Sequence, residues 1–349
     1  MRIGAACWVS AALIAGAGVA RGQVGEVRAL APDVYFHEGD IAKGHCNNGW
    51  VVLEDYVLVV DANFPSGARA ILPKIRALST KPIRFAFDTH HHGDHAYGNQ
   101  VWVDEGAVPL AHTGVVEEMK KYETGHYGGK PGRWEQEAKE REDLRGSRLK
   151  PPSLLFPDRL IFDDGRRRVE LLHLGTAHTH GDALAWLPRE RILFTGDVCV
   201  NGPFNFVGDG DTLEWISVLE KARALQPLVV APGHGPSGDA TLLEDQAAFF
   251  RELRRAVKAA SEGRTSDEVQ AKVETLRAEI LKMPRIARYV RPPGEQGYDP
   301  FAAQVAKVFN ELTGKSFPDK KAEIEAQQIH FARHHGQIHT GSSAGDHQH

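Results

Sequence analysis

The sequence predicts an α/β layered domain, and three observations carry that reading. Short apolar runs of strand length recur from about residue 33, helical patterns separate them in two successive rounds, and five of the runs end on a histidine or aspartate. With 349 residues, 42% hydrophobic and 25% charged, the chain can form one large core with an appendage. Lysine and arginine are scattered and the formal charge is −4, so no nucleic-acid surface is expected.

The first strands are "DVYFHEG", "GWVVLE" and "YVLVVDAN", the last two joined by a turn at "EDY". "SGARAILPKIRAL" has helical spacing, with Pro73 predicting a late start or a kink. "IRFAFDT" is a further strand that runs into "HHHGDH". Residues 113–157 change character. The charged segments "VVEEMKKYE" and "RWEQEAKEREDLRG" read as exposed helices, flanked by "GHYGGKPG" and "KPPSLLFP", in an insertion over the core. Strands resume with "RLIFDD", "RRVELLHLG", "ALAWLP" and "RILFTGD". The helix "DTLEWISVLEKARAL", the strand "LVVAPGH" and a helix from about 238 to 262 follow, so the main domain is expected over 23–262. A helical extension over 263–316 contains "TSDEVQAKVETLRAEILKM" and "DPFAAQVAKVFNELTG". Residues 330–349 hold six of the 18 histidines among small and polar residues and are expected to be disordered.

The N-terminal "MRIGAACWVSAALIAGAGVARGQ" has one early arginine and an uncharged run from Ile3 to Ala20, with Ala20 and Gly22 before Gln23. It reads as a cleaved signal peptide over residues 1–22. The run is weakly hydrophobic and short for a membrane span of roughly 20 residues. A periplasmic or secreted protein without lasting membrane insertion is therefore expected. Cys46 and Cys199 would remain after cleavage; an oxidising compartment would let them pair, and two separate buried thiols is an equal reading.

No predicted strand runs into a G-x-S-x-G elbow, and no phosphate-binding loop is present. The chemistry-bearing feature is five strand ends: "THHHGDH", "GTAHTHGD", "FTGD", "APGH" and, more weakly, "VVDAN". Loops at one edge of a sheet can converge such side chains on a metal, and imidazole with carboxylate suits zinc and other first-row divalent ions. His90 and His92, one residue apart, can point the same way, while Asp94 and His95 lie one turn further on and can face a second ion. His91 is left as a spacer.

These motifs resemble the metallo-β-lactamase superfamily, whose H-x-H-x-D-H signature reads here as His90, His92, Asp94 and His95. The histidine of the family's G-x-x-H-T motif corresponds to His178, the bridging aspartate to Asp197 in "LFTGD", and the last histidine to His234 in "APGHGP". The resemblance implies a four-layer αβ/βα sandwich. It assigns His90, His92 and His178 to one ion and Asp94, His95 and His234 to the second, with Asp197 bridging. His180 would line the pocket or support a ligand. Asp61 is expected as a turn residue or a support to a ligand rather than a ligand itself, and His45, His112, His126 and His173 as structural or surface groups.

The resemblance further implies a hydrolase with two divalent ions, zinc first, with iron or manganese suited to the same donors. Two such ions activate water as hydroxide near neutral pH, and Asp94 would orient it and shuttle its proton. The expected substrate is a small molecule with an ester, lactone, thioester or amide-type bond. An aspartate at position 197, where true metallo-β-lactamases carry cysteine or serine, points toward the lactonase and thioesterase branches and periplasmic members associated with quinoprotein-dependent oxidation. The alternatives are a genuine β-lactamase and an iron-dependent oxidoreductase resembling persulfide dioxygenases. Trp50, Phe64, Tyr97, Phe204 and Phe206 would give the pocket an apolar or aromatic lining, with ordinary packing as the equal reading. Sequence does not indicate an oligomeric state.

Overall fold

A computed structural model describes residues 23–120, 132–293 and 299–318. The expected signal peptide, His126 and the histidine-rich tail lie outside the described residues. Two sheets face each other. The first contains, in spatial order, β1 (Val27–Ala31), β2 (Val34–His37), β3 (Asn48–Val52), β4 (Val57–Val60), β5 (Ile83–Asp88), β6 (Val108–His112) and β7 (Leu154–Phe156). The second is ordered β12 (Val229–Pro232), β11 (Ile192–Gly196), β10 (Leu184–Leu187), β9 (Arg168–Leu172) and β8 (Arg159–Asp163). Each begins as an antiparallel meander, over β1–β4 and β8–β11, and finishes with parallel neighbours.

Side-chain alternation along the strands builds the layers. In β3 and β4, Val51, Leu58 and Val60 join Phe87, Leu171, Ala185 and Phe194 between the sheets. Trp50, Val57 and Val59 point the opposite way. They meet Ala68, Ile71 and Ile75 of α1 (Pro65–Leu78) and Trp102 of α3 (Asn99–Asp104); the four-residue α2 (Gly93–Ala96) lies between those helices in sequence. On the second sheet, Leu184, Trp186 and Leu193 pack beneath α7 (Thr212–Ala224) and α8 (Thr241–Ser261). The extension adds α9 (Ser266–Gln270), α10 (Val273–Leu281) and α11 (Pro300–Thr313) to that outer layer, through Leu276, Ile280, Phe301, Val305 and Phe309. The architecture is the four-layer αβ/βα sandwich.

Local departures from the sequence reading have tertiary causes. Helix α1 starts at Pro65, in the first turn where a missing N–H costs nothing, and continues through Pro73, which sits on its exposed side. The insertion contains α4 (Thr113–Met119), α5 (Arg133–Glu140) and α6 (Glu142–Arg145), and its last part is not helical: β7 pairs in parallel with β6. The run "RWEQEAKEREDLRG" breaks at Arg141, which is extended (φ −107°, ψ 118°). Its guanidinium donates to Asp143 and to the Lys43 carbonyl and lies 3.6 Å over the Phe64 ring, contacts a continuous helix would forgo. Nor is the insertion merely exposed: Glu137, Arg141 and Leu144 are buried. The stretch expected as one helix after residue 265 is divided by a turn at 271–272. Cys46 and Cys199 are both free and buried.

Candidate metal centre

The loops following β4, β5, β9, β11 and β12 bring Asp61, the 90–95 segment, His178, Asp197 and His234 to one edge of the paired sheets. Backbone geometry is specialised there. Asp61 and Asn63 adopt left-handed φ values of 65° and 62°, unusual for non-glycine residues. Asn63 is held there by donating to the Cys46 carbonyl and Asn48, while its side-chain oxygen accepts from Phe64 N–H. Gly196 (φ 49°) turns the chain into Asp197, and Gly233 passes so close to the Asp197 carboxylate that a Cβ there would collide with it.

All seven residues singled out from the sequence are buried, and they converge. Ligand-type atoms of His90, His92 and His178 lie within 4.8 Å of one another, as do those of Asp94, His95 and His234. His90, His95 and Asp197 form a third such group, placing Asp197 between the two trios. His178 Nε2 and His92 Nδ1 are 2.8 Å apart, and His90 Nε2, buried, has no hydrogen-bond partner. His234 Nε2 lies 3.1 Å from Asp94 and 3.5 Å from Asp197. His95 Nε2 lies 3.4 Å from Asp197 Oδ1, and neither atom is satisfied by a hydrogen bond. Buried donor atoms left unpaired and aimed at one another are costly in an empty core. The same arrangement is what divalent cations require.

Four of the five imidazoles have a partner behind them. Thr89 Oγ1 meets His90 Nδ1 at 3.1 Å, the Phe206 carbonyl accepts from His178 Nδ1, and Asp209 accepts from His92 Nε2 at 2.9 Å. Asp61 Oδ2 is 3.0 Å from His95 Nδ1, while its Oδ1 accepts from Thr89 N–H and Oγ1. Asp61 thus supports a candidate ligand. Asp209 was not foreseen. It lies in the glycine-punctuated loop "VGDGDT", a loop signal without a motif. His91 is buried beside Asp209 (3.7 Å), so it packs against the centre's support rather than serving as an inert spacer.

Electrostatics divides the centre. Burial, together with the surrounding imidazoles, holds His90 well below the ordinary histidine value. Burial and the neighbouring His91 and His178 do the same to His92 against the pull of Asp209, and burial lowers His178 against Asp197. His95 is raised instead, because Cys46, Asp61, Asp94 and Asp197 outweigh burial. Asp197 and Asp94 likewise raise His234 against its burial. Asp197 itself is lowered: His234 and His95 overcome the burial that favours its neutral form.

The remaining candidates separate cleanly. His180 is exposed, with its Nδ1 3.3 Å from Thr176 Oγ1. His45 meets Ser66, and His112 stacks on His173 with ring centroids 3.9 Å apart. Of the aromatics, Phe206 lies 5.7 Å from the His92 ring and Phe204 5.5 Å from that of His234. Phe64 and Tyr97 are buried under the insertion, and Trp50 belongs to the outer core rather than the pocket.

The model of the Metallo-beta-lactamase superfamily matches residues 42–234, a stretch containing every one of these residues. The chain belongs to that superfamily. A "Metallo-beta-lactamase type 2" of Bacteroides fragilis is 32% identical over 101 residues, 28% of this chain and 41% of that protein. A "Linear primary-alkylsulfatase" of Pseudomonas sp. (strain ATCC 19151) is 24% identical over 283 residues, 71% of this chain and 50% of that protein. The chain thus spans half or less of the length of these curated relatives. Among solved structures, metallo-β-lactamases from Pontibacter korlensis and Hirschia baltica match with TM-scores of 0.51 and 0.52. Their identities are 19% and 18%, covering 65% and 64% of this chain and 98% and 97% of theirs. At that identity the likeness concerns the fold. Superfamily fold and buried histidine–aspartate cluster together suit divalent metal ions.

Proposed function

We propose that this protein is a metal-dependent hydrolase acting on an ester, lactone, thioester or amide-type bond of a small molecule. His90, His92 and His178 would hold one divalent ion, Asp94, His95 and His234 a second, and Asp197 both; zinc is the ion these donors fit first. The observation that carries the reading is the pair of buried trios with Asp197 between them. Such a pair of ions supplies Lewis acidity and water activated near neutral pH. Asp94, buried beside His234, is placed to accept a proton from attacking water, and Asp197 fixes the spacing of the two halves. Phe204 and Phe206 offer an apolar wall to the substrate. We further propose a periplasmic or secreted location, from the N-terminal sequence alone; no described helix is long and apolar enough to cross a membrane.

A second reading has one observation behind it: the alkylsulfatase relative aligns with most of the chain, which favours a sulfate ester. Metal analysis of the purified protein, then turnover assays with aryl esters, lactones, thioesters, nitrocefin, phosphodiesters and an alkyl sulfate, tests both. Two zinc ions with ester or lactone turnover is the expected result. Sulfate release alone would favour the second reading, and one iron with oxygen consumption on a persulfide would overturn both.

A further inference from the structure

Two of the supports behind the first trio sit on one loop. The stretch "NFVGDGDT", residues 205–212, carries the Phe206 carbonyl that accepts from His178 and the Asp209 carboxylate that accepts from His92. Gly208 and Gly210 leave this backbone little order of its own, so its conformation has to be fixed from outside. One fixed point lies beside a candidate ligand. Asp211 N–H donates to the Ala177 carbonyl at 3.1 Å, and a Cβ on Gly210 would collide with that same carbonyl. The other two come from α11, which lies beyond residue 234, where the superfamily match ends. Gln304 and Glu311 are about two turns apart on α11 and share a face. At one end of the loop Gln304, 3% exposed, donates to the Asn205 carbonyl at 2.7 Å. Its Oε1 makes no hydrogen bond, so the bond to the loop is what a glutamine contributes at this buried position. At the other end the Glu311 carboxylate accepts from the N–H (3.0 Å) and the hydroxyl of buried Thr212. Arg254 of α8 donates to that hydroxyl at 2.7 Å and to Glu311, closing the clamp with charge-assisted bonds.

We propose that α11 is a working part of the metal centre, with Gln304 and Glu311 as positioning residues for the first ion. They act through the loop they clamp. Held at Asn205 and Thr212, it keeps the Phe206 carbonyl against His178 and the Asp209 carboxylate against His92, which sets how those two imidazoles point. The inference rests on the reading of the two trios as metal sites. The second trio draws its supports elsewhere: Asp61 backs His95, and His234 lies against Asp94 and Asp197. Loosening the clamp therefore weakens one ion and spares the other.

The test titrates Zn2+ into the full metal-free chain against a chromophoric chelator, then repeats the titration with Co2+. Cobalt absorption tells the two ions apart, because three imidazoles hold one and two imidazoles with carboxylate the other. Gln304→Met removes the donor and keeps the length of the side chain. Thr212→Val removes the hydroxyl, and Thr212→Ser restores it. Val305→Ala loosens the packing of the same helix in the outer core and leaves both clamps in place. Gln304→Met and Thr212→Val should each weaken the first ion roughly tenfold and shift its Co2+ bands, with the second ion unchanged. Thr212→Ser and Val305→Ala should bind both ions as wild type does. Equal loss at both sites, or a loss in Val305→Ala as large as in Gln304→Met, means general loosening and overturns the assignment. Wild-type affinity in both Gln304→Met and Thr212→Val overturns it too, leaving the metal reading intact. A wild-type chain that takes up no zinc overturns both.

Discussion

His90, His92 and His178 face one another, whereas His95 and His234 face Asp94, Asp197 and Asp61. All five imidazoles are buried to a similar degree, yet burial and neighbouring imidazoles lower the first three, while nearby carboxylates raise the other two. Neighbouring charge therefore decides what burial alone would make uniform. The first trio offers lone pairs directly to a cation. In the second, carboxylates favour the charged imidazoles, so protons compete more strongly with a cation there.

The largest effect should come from removing one member of either trio. His92→Ala or Asp94→Ala is expected to abolish turnover with unchanged circular dichroism, and persisting activity in either variant would break the two-trio scheme. Supports behind the trios should matter less. Asp209→Asn, behind His92, and Asp61→Asn, behind His95, should each cost roughly 10–100-fold in metal affinity, read by competition with a chromophoric chelator. If the halves behave independently, each variant weakens one ion only.

Acidity offers a finer division. Each proton released on binding makes affinity fall about tenfold per pH unit of acidification. Binding at the second trio should therefore weaken more steeply below neutrality than binding at the first, a difference that calorimetric zinc titrations at several pH values would read. Equal slopes would show that the two halves do not differ in proton content.

The smallest effect is on the metal-free fold. Burial holds His37 and His45 near 4 and keeps the first trio neutral, so below about pH 6.5 the unfolded chain binds more protons and stability falls. His95 and His234 oppose this. Their contribution is full below the ordinary histidine value and is lost as pH rises through their elevated folded values. Thermal unfolding of metal-free protein should thus decline toward acid, less steeply in His178→Asn.

Much of this was legible in the chain. The apolar runs "GWVVLE" and "YVLVV" were legible as strands, but both of their faces are buried, so the packing of the layers decided which side chains face the inter-sheet core. The spacing in "HHHGDH" paired His90 with His92, and the resemblance supplied the partners at 178, 197 and 234, which the fold brings to the same edge. Asp209 and the Phe206 carbonyl were not legible as parts of the centre. A loop aspartate and a backbone oxygen carry no local signal, and each acquires its role from what lies across the fold. The same holds for Arg141, whose contacts to Phe64 and Asp143 end a helix that propensity would continue.

By itself the sequence determined the alternation of strands and helices along the chain, through periodicity, and, through its resemblance to a known superfamily, the four layers and the histidines and aspartates expected to converge. Only the tertiary structure decided which imidazoles are pushed toward the neutral form and which toward the charged one, that the two thiols stay apart and which loop aspartate backs a candidate ligand. Those outcomes depend on distances between residues far apart in sequence and on how completely water is excluded around them.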